Sequence, residues 1–145
     1  MGEDAPEEDS NSSFENMSIK EFDITDEFTS VTKDISCKDL AKSLLEVPRG
    51  AIFLLDENQT PVGAVTAREF LIATAKGMDL LEKVGEDLMN TNIMEINVED
   101  KISEVLLKIS KYAPYAVVVK DGEGKFIGYF SPKDYHEALQ KTGVI

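Results

Sequence analysis

Apolar and polar positions fall into a short series of segments, and the series occurs twice. Phe28–Val31 and Ile93–Ile96 are short β-rich stretches. Each precedes a helical-period pattern, carried by Leu40, Leu44 and Leu45 in one case and by Val105, Leu106 and Ile109 in the other. Ser36 with Asp39, and Asp100 just before Ile102, are placed to cap these helices. Unbroken apolar runs follow, Ala51–Leu55 and Ala116–Val119, then polar turns, Asp56–Thr60 and Asp121–Gly124, then return strands ending at Thr66 and Ser131. A second helix closes each series, Ala67–Ala75 and Pro132–Lys141. Pro132 suits a first helical turn, which makes Ser131 the N-cap. The order is β-α-β-β-α, twice.

The two series are copies. A shift of 65 residues lays Ile19 on Val84, Phe28 on Ile93, Leu44 on Ile109, Ala51 on Ala116 and Asp56 on Asp121 without a gap. The sharpest match sets Gly63-Ala-Val-Thr-Ala-Arg-Glu-Phe70 against Gly128-Tyr-Phe-Ser-Pro-Lys-Asp-Tyr135. There the glycine is identical, and hydroxyl, basic, acidic and aromatic residues each meet their own kind. The repeats occupy residues 18–80 and 83–145. Strands that are apolar throughout require cover on both faces, and a unit of roughly 60 residues buries too little surface to be comfortable alone. The expectation is an α+β fold in which two βαββα units pack sheet against sheet, with helices outside, as one cooperative body.

Charge changes the picture only at the start of the chain. Of the formal −13, residues 1–28 hold −9, ten acids against Lys20, which leaves −4 for the remainder. Residues 1–17 are expected to be a disordered acidic arm, too poor in apolar surface to offset its ordering entropy. This charge disfavours nucleic acid as a partner. No apolar run approaches the roughly 20 residues of a membrane span, and no secretory leader is evident. A single cysteine, Cys37, suits a reducing compartment, so the expected location is cytoplasmic.

Two βαββα repeats, each ending in Gly-apolar-apolar-Thr/Ser-x-x-acid-aromatic, resemble a tandem pair of cystathionine-β-synthase-type (CBS) domains, a Bateman module. The resemblance covers residues 18–143. It implies a disc-shaped pair that dimerises through its helices, with clefts between the repeats for an adenine nucleotide or S-adenosylmethionine. It also implies a regulatory role toward a protein not identifiable from sequence, without catalysis and with no required cofactor. The motif has its own logic. Gly63 and Gly128 let a ligand approach the backbone; Thr66 and Ser131 offer a hydroxyl at a helix start, beside unpaired N–H groups. Glu69 and Asp134, three residues on, can accept from two ribose hydroxyls; Arg68 and Lys133 supply charge for phosphate. The resemblance adds Val31 and Ile96 to the adenine pocket, with Ala51 and Ala116 standing where the family often has proline. The second repeat has the full set; in the first, Glu69 carries its carboxylate one methylene further out.

A second reading stays open, that of a ligand-free dimerisation or protein-docking scaffold. Catalysis has little to work with: His136 and Cys37 are the only residues of their kinds, whereas metal sites and nucleophilic catalysis need several ligands or a base beside the nucleophile. Asp121-Gly-Glu-Gly124 lacks the Lys-Ser/Thr tail of a phosphate loop and lies between two apolar strands, as a hairpin turn does.

Overall fold

Each fully apolar run forms the middle strand of a three-stranded sheet. The computed structural model describes residues 16–47 and 50–143. In it, β1 (Phe28–Thr32) runs parallel to β2 (Ala51–Leu55), which pairs antiparallel with β3 (Pro61–Val65). A second sheet repeats that order with β4 (Ile93–Asn97), β5 (Ala116–Lys120) and β6 (Phe126–Tyr129). The helices are α1 (Cys37–Glu46), α2 (Ala67–Ala75), the single turn α3 (Gly85–Leu88), α4 (Ile102–Tyr112) and α5 (Pro132–Lys141). Of the acidic arm, residues 1–15 lie outside the described residues.

The apolar runs are unalternated because each strand face meets a different apolar layer. In β2, Ile52 and Leu54 join Leu40 and Leu44 of α1 in a helix-side core, while Ala51 and Phe53 turn to the other sheet. There they meet Ala116, Val118 and Tyr129. The Phe53 ring lies 5.1 Å from Tyr129 and 5.7 Å from Phe126, both near edge-on. Such pairs add roughly 0.5–1.5 kcal/mol each beyond area burial. The result is four layers, helices outside and two sheets face to face.

Packing crosses the repeat boundary in a way the sequence pattern does not announce. The segment before β1, with a 3₁₀ turn at Ile19–Glu21, places Ile19, Phe22 and Ile24 in the helix-side core of the second repeat. Ile19 N–H donates to the Asp100 carbonyl at 3.1 Å, and Ile102 N–H to that of Met17 at 2.8 Å. The exchange is mutual. Gly85 N–H donates to the Ile35 carbonyl at 2.8 Å, Cys37 N–H to that of Lys83 at 3.2 Å, and Leu88 packs with Cys37 and Ala73. Each repeat's leading segment thus completes the other repeat. Met17, expected as the last residue of the arm, is therefore already part of the body.

Local signals hold in detail, with one correction. Ser36 Oγ accepts from Asp39 N–H at 3.1 Å as expected of a cap. Asp100 does not cap α4; its Oδ2 accepts from Asn97 N–H at 2.9 Å, and Lys101, which offers no side-chain bond, precedes the helix. The three-residue reach back to the strand end competes with the helix for the same carboxylate. Among the described residues, no helix is long and apolar enough to cross a membrane.

Candidate functional site

In the second repeat, β6 delivers the chain to Ser131 and α5 begins at Pro132. Ser131 N–H donates to Asp134 Oδ2 at 3.0 Å and Asp134 N–H donates to Ser131 Oγ at 3.2 Å, a reciprocal capping box. Both residues are buried, Asp134 to 2 % exposure. Burial raises the Asp134 pKa above the ordinary 3.8; the Ser131 N–H and hydroxyl pull it back, and the Asp26 and Glu137 carboxylates push it up further. Lys133 reaches out to the segment before β1, where its Nζ lies 3.1 Å from Asp26 Oδ2. That bond holds the Lys133 pKa above the usual 10.5. Tyr129 is pushed up to about 12, first by burial and then by the Glu27 carboxylate. A cavity of about 160 Å³ opens beside Ser131, with Tyr115, Ala116, Tyr129 and Tyr135 in its wall.

The first repeat builds the same box at the start of α2. Thr66 N–H donates to Glu69 Oε1 at 2.7 Å, and Glu69 is 4 % exposed. Here a third residue intervenes. The Tyr115 hydroxyl, from the second repeat, donates to Glu69 Oε1 at 2.9 Å and lies 2.7 Å from Thr66 Oγ1. Burial, foremost, raises the Tyr115 pKa above its usual 10. Arg68 is exposed. Thr66, Glu69 and Tyr115 thus satisfy one another, and the polar groups of the first motif are engaged by a side chain of its own protein.

The glycines have an occupant other than the one expected. A Cβ on Gly128 would lie 2.6 Å from Ile24 Cδ1 and 2.7 Å from the Ile24 carbonyl oxygen, which accepts from Tyr129 N–H at 2.8 Å. A Cβ on Gly63 would meet Met89 Sδ at 2.5 Å. The exchanged leading segments, therefore, are what approach the backbone here, and Ile24 and Met89 are themselves partners under the 65-residue shift. Ala51 and Ala116 lie in the apolar layer between the sheets. Val31 and Ile96 lie in the helix-side cores, with Phe28 and Ile93 instead presented to the layer between the sheets.

Tyr115 and Asp26 lie outside the repeated motif and stand out little in the sequence. Tyr115 carries one usable signal: it matches Gly50 under the shift, so the repeat breaks there between a large aromatic residue and the smallest one. Asp26 and Lys133 are 107 residues apart and offer no local signal for their pairing.

A family model described as "CBS domain" matches residues 19–76 and again residues 84–141. No curated protein matches the chain. Among solved structures, the CBS domain pair of protein MJ0100, in complex with 5′-methylthioadenosine and S-adenosyl-L-methionine, aligns with TM-score 0.70 at 22% identity, covering 87% of this chain and 98% of that one. An uncharacterised conserved protein from Pyrococcus horikoshii aligns with TM-score 0.70 at 22% identity, over 87% and 94% of the two chains. CBSX2, in complex with AMP, gives 0.68 at 20% identity, over 88% and 98%.

Proposed function

The chain belongs to the CBS-domain family, two copies in tandem, and on that premise we propose that it is a cytoplasmic, non-catalytic regulatory module. It binds an adenosine-containing ligand in the cleft between its repeats and passes the binding event to a partner protein. The observation that carries this reading is the buried Ser131–Asp134 pair at the head of α5. A carboxylate kept buried at the start of a helix, its pKa raised by that burial, is a costly way to cap a helix but a good acceptor for two ribose hydroxyls. Support comes also from the two neighbours named above, whose complexes hold adenosyl compounds.

The first cleft favours the second reading, a ligand-free scaffold, for its own half of the molecule, since Tyr115 already satisfies Thr66 and Glu69. We further propose a homodimer through the outer helices, supported by exposed Leu45 on α1, Leu71 on α2 and Leu107 on α4. Light scattering at tens of micromolar checks this, and a monomer mass there would count against it.

A thermal-shift screen with AMP, ADP, ATP, S-adenosylmethionine and NAD tests the main reading. A ligand bound only to the folded state raises the midpoint by mass action. A rise with at least one adenosyl ligand, absent in Asp134→Ala, is expected; five unmoved midpoints would leave only the scaffold.

A further inference from the structure

The surroundings of the two motifs differ in charge. Under the 65-residue shift, Asp26 and Glu27, which precede β1, correspond to Thr91 and Asn92, which precede β4. Lys133, the one base of the second motif, is bonded to Asp26, whereas Arg68 of the first has no acid at the matching place. Glu27 lies close enough to act electrostatically on both Lys133 and Tyr129, and Asp26 on Asp134. A phosphate entering here would have to draw Lys133 away from Asp26 and then face Asp26, Glu27 and Asp134 together. A neutral or positively charged group would meet no such obstacle, and a cation would gain from it.

Building on the ligand site argued above, we propose that the second cleft selects adenosyl ligands that carry no phosphate, with a neutral or cationic substituent on the ribose such as a thioether or sulfonium. Asp26 is the selecting residue: it neutralises Lys133 and gives the rim its sign. Gly50, which matches Tyr115 under the shift, contributes no side chain here, and the Glu27 carbonyl stands where its Cβ would be, which keeps Glu27 at this site.

Isothermal titration of the full chain at low salt with 5′-methylthioadenosine, S-adenosylmethionine, AMP and ATP tests the proposal. The first two should bind at least roughly tenfold more tightly than AMP and ATP, with the preference for the sulfonium narrowing as salt is raised. Asp26→Asn should free Lys133, raise AMP affinity about fivefold and weaken S-adenosylmethionine, as removal of one nearby charge implies. An unshifted melting midpoint would confirm that this variant folds. AMP or ATP binding as tightly as the thioether, or an Asp26→Asn variant with unchanged preference, would overturn the charge selection while leaving an adenosyl module standing. Heat from none of the four would remove both.

Discussion

Thr66 and Glu69 hold each other as Ser131 and Asp134 do, but the first pair also holds the Tyr115 hydroxyl, and the second has Gly50 at the matching position. The same strand-to-helix junction thus receives a hydrogen-bonding side chain from the opposite repeat in one case and none at the matching position in the other. The difference lies not in the motif but in what the opposite repeat sends across. Duplication supplies two equivalent frames, and a few breaks in the repeat (Tyr115 for Gly50, Asp26 for Thr91) give each frame its own surroundings.

The largest expected asymmetry is in the glycines. Gly128→Ala sets a methyl against the Ile24 backbone carbonyl, which is fixed by its bond from Tyr129, whereas Gly63→Ala meets only the Met89 side chain. Overpacking against backbone should cost about 3 kcal/mol, and against a flexible methionine about 1 kcal/mol. Urea unfolding of the two variants measures this; equal losses would mean that the two leading segments are held alike.

Tyr115→Phe removes the hydroxyl bonded to Thr66 and Glu69, and should lower stability by about 1 kcal/mol. Tyr115→Ala removes the ring as well and should admit a second equivalent of ligand. One equivalent in that variant would mean that Glu69's longer side chain, not Tyr115, closes the cleft.

The hairpin turns provide a smaller contrast. Asp56 and Asp121 Oδ1 each accept two backbone N–H groups across matching turns, but Gln59 holds φ 62° where Gly124 holds φ 83°. Gln59→Gly should therefore gain about 1 kcal/mol and Gly124→Ala lose a similar amount, read as melting shifts of opposite sign.

Acidification separates the carboxylates most finely. Asp134 has a folded-state pKa raised above 3.8 by burial, so its ionised form disfavours folding. That cost is absent below 3.8 and appears as pH rises through the raised value. Relative to Asp134→Asn, the wild type should thus be least stable at neutral pH, with the gap closing as pH falls toward 3.8. Ligand affinity should fall over the same interval, as the carboxylate takes up the proton it must lack to accept from ribose. A gap that widens on acidification would contradict the assigned direction.

Much of the frame was legible because it rests on local signals. The α2 and α5 limits follow from the hydroxyl caps at Thr66 and Ser131, and the middle strands from apolar runs that admit no exposed face. What escaped depends on distance. Nothing near Ile19 says that it will pack beside Ile102, since an apolar leader reads alike whichever repeat it covers. Asp100 looked like a cap because a carboxylate before a helix usually is one, yet the Asn97 N–H stood equally within reach. In sequence Gly128 signals room for a ligand, and the same lack of a side chain serves the chain's own Ile24.

The central claim is that Asp134 anchors an adenosyl ligand in the second cleft and that its counterpart, Glu69, does not. Calorimetric titration of wild type, Asp134→Ala and Glu69→Ala with S-adenosylmethionine tests it directly. The expected result is one equivalent per wild-type chain, a loss of about 1.5–3 kcal/mol in Asp134→Ala, as for hydrogen bonds to a charged group, and near wild-type affinity in Glu69→Ala. Equal affinity in all three proteins, or a greater loss in Glu69→Ala, would contradict the account.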